Sequence, residues 1–395
     1  MGFCIFGSMK KYWLLIILLA LIQMPSFASG TSDSLLIVQL LERIAKDQVQ
    51  SNHPDFFDGM FPSFREWGAW PINRKPDNNV YFTAITSFTL KNLAVKLNPK
   101  QQLGIDTIVK NAAKCYPNFL NKKKGGFYEF FPADNTFMPN SLFLKYFKKQ
   151  LSSGEDADDC VMIFMTSKHP DSVLESFQKK LIKASNLSTK KINNTFKKYR
   201  DLPAYSTFLG SKMGIDFDFC VQTNLMYYLL GKKQDFGKQD EATLILLLEN
   251  VRNRDYIFHP EYISPWYARS SVLIYHIARL LHAYDIPAFS PYKQQLIADA
   301  TYLLGQPVNI MDKIILSTAI LRLGGKLVNP IEIRDLQTFE RSNQRSFPFF
   351  QARGSGLMSN APKKLFSIQG APYYFNFSCP TYNKTLLLEY LLEKQ

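Results

Sequence analysis

Cysteine and histidine are both scarce in this chain, with five of each in 395 residues. No C-x-x-C spacing occurs, which excludes the common zinc ribbons, and so few cysteines cannot build a disulfide scaffold. There is no H-E-x-x-H, no G-x-S-x-G, no P-loop, and no G-x-G-x-x-G ahead of a strand–helix unit. A zinc protease, a serine hydrolase and a nucleotide-dependent enzyme therefore lack their chemistry. Tryptophan is also sparse, at four residues, few for a sugar-binding cleft. Strand-like alternation is rare, and the longest apolar run, Tyr12–Ile22, is too short for an ordinary spanning helix.

That run follows Met9-Lys10-Lys11 and precedes Ser26-Phe27-Ala28, a basic, apolar and small-residue order that reads as a signal peptide over residues 1–28. The expectation is an exported protein, secreted or periplasmic, with no stable transmembrane anchor and one domain over residues 29–395. The net charge of +14 falls by Lys10 and Lys11 on cleavage. The remaining lysines are scattered or form short clusters such as Lys122-Lys123-Lys124 and Lys190-Lys191. Without a nucleic-acid motif these read as solvated faces, so no nucleic-acid partner is expected. Cys115, Cys160, Cys220 and Cys379 read as small buried hydrophobes, with Cys160 and Cys220 the pair to test for a bridge.

What is present is helix of two kinds. Tyr81–Leu97, Ala157–Ser167, Asp218–Leu230, Pro265–Ala283, Asn309–Leu323 and Tyr382–Leu392 are apolar nearly all round. Ser34–Gln48, Gln101–Ala113, Asp171–Ala184, Gln239–Asn250, Pro291–Leu304 and Ile331–Arg341 carry charge on one face. An all-round apolar helix must be buried on every side, and an amphipathic one can wrap it. Six of each in alternation predict an all-α fold, an (α/α)6 toroid of six helical hairpins. Aromatic segments punctuated by Pro and Gly, Phe56–Asn78, Gly125–Asn140 and Phe347–Pro380, are expected to fold over one opening. A small β-hairpin is expected within Lys364–Phe377.

The densest chemistry is Asp156-Ala157-Asp158-Asp159, run directly into the apolar segment Cys160–Met165. Carboxylates this close cannot all ionise freely, so at least one raised pKa is expected. Asp216 and Asp218 form a second acidic pair ahead of another inner helix. Parallel inner helices would bring both sets to one rim, where oxygen ligands suit a divalent cation, although no cofactor is required. Both sets equally fit helix capping, since carboxylates favour a helix N-terminus.

The ordered set Phe61-Pro62-Ser63-Phe64-Arg65, Phe130-Phe131-Pro132, Gly154 through Asp159, and Ala204-Tyr205-Ser206-Thr207-Phe208 resembles the terpenoid cyclase/protein prenyltransferase superfamily. Asp216 to Leu225, Tyr262-Ile263-Ser264-Pro265 and Tyr275-His276-Ile277-Ala278-Arg279 continue the resemblance. It is nearest to bacterial single-toroid proteins described as squalene-cyclase or prenyltransferase repeat-like, which have no agreed role. The chain departs from the larger cyclases in having length for one toroid and in lacking Q-x-x-x-G-x-W repeats.

The resemblance implies that D-x-D-D supplies an acid, with Asp158 as the general acid and Asp156 and Asp159 supporting it. The substrate class would be apolar or isoprenoid-like, bound among the 32 Phe and 20 Tyr. Asp218-x-Cys220 with His276 or His282 echoes prenyltransferase zinc ligands, a match short enough to be chance. Asn224 in an apolar helix, Arg279, Tyr205, Tyr262 and Tyr275 are the other ligand-binding candidates, along with Asp216 and Asp218. Core packing and polar satisfaction are their alternative roles. Two other functions compete with the cyclase: a noncatalytic binding toroid with capping acids, and a six-hairpin carbohydrate-active enzyme using rim carboxylates.

Overall fold

Alternation of fully apolar with one-sided helices dictates which helices end up inside. In the computed structural model the described residues are 28–68, 74–122, 126–133, 140, 154–210, 213–232, 236–343, 347–368 and 374–395. The expected signal segment, Ala28 excepted, and residues 125 and 134–139 of the Gly125–Asn140 segment lie outside them.

The chain begins with α1 (Ala28–Asp47), then strands β1 (Phe64–Trp67) and β2 (Lys75–Pro76). Helices α2 (Tyr81–Leu93), α3 (Pro99–Ala112), α4 (Ala157–Thr166) and α5 (Asp171–Ala184) follow. Next come α6 (Phe219–Gly231), α7 (Lys238–Arg252) and the single turns α8 (Asp255–Phe258) and α9 (Pro260–Ile263). After these lie α10 (Ser270–Ala283), α11 (Lys293–Leu304), α12 (Ile310–Arg322) and α13 (Leu336–Asn343). Strand β3 (Phe350–Arg353), α14 (Asn360–Phe366), β4 (Tyr374–Ser378) and α15 (Pro380–Glu393) complete the chain. The molecule is thus mostly helical, with one small antiparallel sheet.

The apolar helices pack in a closed order: α2 on α4, α4 on α6, α6 on α10, α10 on α12, α12 on α15, and α15 back on α2. Nearly every residue of α4, α10 and α15 is buried, as an inner helix requires. The one-sided helices lie outside, with α3 against α2, α7 against α6, α11 against α12 and α1 against α15. Among the described residues none of the helices is long and apolar enough to cross a membrane.

Helix ends follow local chemistry. Asn98 and Gln101 form a reciprocal capping box with Pro99 in the first turn, starting α3 two residues ahead of the expected Gln101. Two outer helices start later than the periodicity suggests. Pro291 leaves a 3-10 segment, Pro287–Tyr292, ahead of α11. Asp335 accepts hydrogen bonds from the Gln337 and Thr338 amides, so α13 begins at Leu336 rather than near Ile331.

The expected hairpin within Lys364–Phe377 is replaced by a different pairing. Asn360–Phe366 is helical, and β4 pairs antiparallel with β3 on one side and β1 on the other, in the order β2-β1-β4-β3. The cause lies in two aromatic segments distant in sequence: Arg65 faces Phe377 and Phe350 faces Phe377 across the ladders. Two loops read separately therefore share one sheet. It lies over the end of the ring where β4 runs through Cys379 into α15.

The four described cysteines are buried free thiols, and no Cys160–Cys220 bridge forms. In the other half of the ring, Arg322 joins Glu389 at 2.6 Å and Glu393 at 3.2 Å, while the Tyr275 hydroxyl donates to Glu389 at 2.6 Å. This polar cluster ties α10, α12 and α15 together.

Candidate functional site: an acidic, aromatic cavity under the sheet

The segment leading into α4 is threaded between two others. The Asp156 amide donates to the Tyr128 carbonyl at 3.1 Å, and the Ala157 amide to Thr207 at 2.9 Å. Gly154, at φ +72°, makes the turn that precedes them, a left-handed conformation that suits glycine. Asp156 caps α4 by accepting from the Asp158 amide at 2.8 Å. Asp158 and Asp159 occupy the first turn, where the helix dipole favours carboxylates. All three border one cavity of about 350 Å³, at the small end of ligand pockets, which run to about 1,000 Å³.

The walls of that cavity are aromatic. Phe130 stacks on Phe350 with ring centroids 5.6 Å apart, and Phe350 meets the Tyr81, Tyr267 and Phe377 rings edge-on or tilted at 5.2–5.9 Å. Trp67, Phe208 and Trp266 complete much of the lining. Faces of such rings carry negative potential and attract cationic charge.

Asp158 sits in a hydrogen-bonded chain. Asn224 donates to one oxygen at 2.7 Å, and Tyr267 bonds the other. Tyr267 in turn bonds the Tyr81 hydroxyl, and Arg279 donates to the Asn224 carbonyl oxygen. Burial, followed by the negative Asp158, drives the Tyr267 and Tyr81 phenols well above their ordinary pKa, so both keep their protons. Tyr267 has one hydrogen to donate and lies between Asp158 and Tyr81. With Asp158 ionised it donates to the carboxylate while Tyr81 donates to it; with Asp158 protonated the order reverses.

Burial raises the Asp158 carboxyl to about 6, opposed by hydrogen bonds from Tyr267 and Asn224 and by the Arg279 charge. Asp159 has no such help. It is 1% exposed, and neither carboxyl oxygen has a hydrogen-bond partner. Burial first, then the neighbouring Asp156 and Asp158 charges, pushes it well above the carboxylate range. Asp156 is raised well above it too, by burial and Asp158, against the backbone amides of Asp158 and Asp159. An unpartnered buried carboxyl escapes part of the desolvation cost by holding its proton.

The second acidic pair lies nearby but outside the cavity lining. Asp218 caps α6 and accepts from the Cys220 amide at 2.9 Å, Val221 amide at 3.2 Å, Ser264 hydroxyl at 2.7 Å and Trp266 amide at 3.1 Å. Burial still raises it to about 7. Asp216 accepts from the Trp266 indole at 2.8 Å and lies 3.8 Å from Lys363. Together they fix the Trp266 ring that walls the cavity.

The other candidates are placed apart. Asn224 and Arg279 reach the site through Asp158, beneath its floor. Tyr205 donates to Asp240 on α7 at 3.0 Å. Tyr262 bonds Asn360 and borders a second pocket, while Tyr275 belongs to the Glu389 cluster. His276 bonds the Val272 carbonyl of its own helix at 2.8 Å, and burial holds its pKa well below normal. His282 faces the Arg322 carbonyl. Among the described residues no group of three His, Cys, Asp or Glu side chains has metal-holding geometry.

Sequence reasoning missed Tyr81, Tyr267 and Trp266 as site residues. The available signal was their position: each stands at or just before the start of an apolar helix, as Asp158 does. No family model matches the chain, and no curated protein compared with it matches.

Proposed function

We propose that the closed order of inner and outer helices is an (α/α)6 toroid of the terpenoid cyclase type, and that its covered end binds an apolar, isoprenoid-like ligand. Asp158 then serves as the general acid that starts cyclisation. The observation carrying this reading is the union of an aromatic cavity with a buried carboxyl pair, one member of which has no donor at all.

The two acids suit different parts. A proton donor needs a stabilised conjugate base, and Asp158 has Tyr267, Asn224 and the Arg279 charge for that purpose. Asp159, without donors, keeps its own proton and spares Asp158 a second adjacent negative charge. In the reaction the Asp158 proton adds to a ligand alkene, the ring closes on the cation, and a proton lost from the product returns to the carboxylate. Aromatic faces around the cavity stabilise the cation between those steps. Because Asp158 titrates at about 6, the protonated fraction and the rate both rise as pH falls through that value.

The carbohydrate alternative has weaker support. Glycosidase acids flank a bond from opposite sides, about 5–9.5 Å apart, whereas these carboxylates crowd one helical turn against an apolar wall. The test is mass spectrometry of lipid extracts incubated with wild type and with Asp158→Asn. An isoprenoid retained by both proteins, with a product of equal mass formed only by wild type, supports the acid role. Unchanged ligand on both reduces the protein to a binding module, and no retention by either removes the ligand reading.

A further inference from the structure

The aromatic cavity does not end at an apolar wall. Arg353, at the end of β3, borders it and also borders a second, polar pocket of about 890 Å³ on its far side. Tyr374 lines both as well, and the Arg353 guanidinium lies 4.8 Å from its ring centroid.

Arg353 is 6% exposed, and its charge is poorly compensated. Its Nε has no hydrogen-bond partner, Nη1 reaches the Ile368 carbonyl only at 3.4 Å, and Nη2 is 4.0 Å from the Glu261 carboxylate. Two other buried arginines are closely paired: Arg65 with Asp77 at 2.6 Å and Arg322 with Glu389 at 2.6 Å. Arg279 also has unpartnered nitrogens, but it is sealed between helices and borders neither cavity. A buried guanidinium without a close anion is costly, and five fixed donors make it a ready partner for a planar anionic group. Burial lowers its pKa despite Glu261, in keeping with that deficit.

We propose that Arg353 is a binding residue for the anionic head group of an amphiphile whose apolar tail fills the aromatic cavity. This rests on the apolar-ligand reading above. The tail lies among Phe130, Phe350 and Tyr81, and the head emerges at Arg353 towards the polar pocket. Lys364 borders that pocket and favours negative charge; of the two acids there, Asp312 is already paired with Arg269, and Glu261 stands 4.0 Å from Arg353. The ligand is therefore an acid with an isoprenoid-sized tail rather than a neutral hydrocarbon.

Trp67 and Trp266 line the cavity and report its occupancy by fluorescence. Farnesol and farnesoic acid, titrated at pH 8 into the full chain, share a tail and differ at the head. The expected result is that wild type binds the acid about tenfold more tightly than the alcohol. Arg353→Met, checked for an unchanged melting temperature, should lose that preference and bind the alcohol as before. Equal binding of acid and alcohol by wild type overturns the head-group role while leaving the apolar cavity standing. Failure of both compounds to bind overturns the apolar reading and this inference with it. The wild-type comparison decides even if the variant does not fold.

Discussion

Two acidic sets stand side by side at one end of the helix ring, and they are satisfied in opposite ways. Asp218 receives four hydrogen bonds and holds α6, Ser264 and Trp266 together. Asp159 receives none, although it is equally buried and likewise near a helix start. Capping explains the first completely, whereas the second has only its place in the first turn of α4 and no hydrogen bond to offset its burial. Where a fold keeps a costly group that stabilises nothing, function is the better explanation. The lesson is that a motif of adjacent carboxylates is a site only where its donors run out.

Mutation separates the two sets most sharply at Asp218. Asp218→Ala strands four buried or half-buried donors and removes a cap, so chemical unfolding should register a loss of about 3 kcal/mol. At Asp159 the sign reverses. Asp159→Leu replaces an unpartnered carboxyl with a similar apolar volume facing aromatic rings, and the same measurement at pH 8 should give a gain of about 1–3 kcal/mol. Destabilisation by Asp159→Leu would make it a structural cap like its neighbour.

The smallest effect is the pH dependence of stability itself. Asp158 is raised to about 6 and Asp218 to about 7, so both take up protons on folding. The stability they contribute is full below the unfolded value of about 4, and it is lost as pH rises through 6 and then 7. Urea unfolding at pH 5 and at pH 8 should show the acid condition more stable from these groups. A flat profile that persists in Asp158→Asn and Asp218→Asn would contradict their burial-driven shifts.

Much of this was legible in the sequence. Apolar helices declare themselves inner because no face can meet water, and the alternation of the two helix kinds follows the chain through to α15. Asp156 and Asp218 could be read as caps from position alone. The sheet was not legible, because its register sets Phe377 between Phe350 and Arg65, and Arg65 lies hundreds of residues from both. Tyr267 was half legible: its place just before α10 puts it at a helix start as Asp158 is, but gives no sign that the two side chains will bond. Tyr205 and Tyr275 show the converse: a tyrosine beside a motif finds a carboxylate elsewhere, on Asp240 and Glu389. Periodicity reports burial, but which polar groups meet inside depends on contacts between distant segments.

The central claim is that D-x-D-D forms a proton-holding cavity floor. It is tested most directly by carboxyl-carbon NMR titration of aspartate-labelled protein, with signals assigned from Asp158→Asn, Asp159→Asn and Asp218→Asn. The account predicts that Asp158 titrates at about 6, Asp218 at about 7, and Asp159 well above the ordinary carboxylate range. Titration of Asp159 at about 4, the value of a free aspartate, would mean that it ionises like any helix-terminal acid, and the claim would fail.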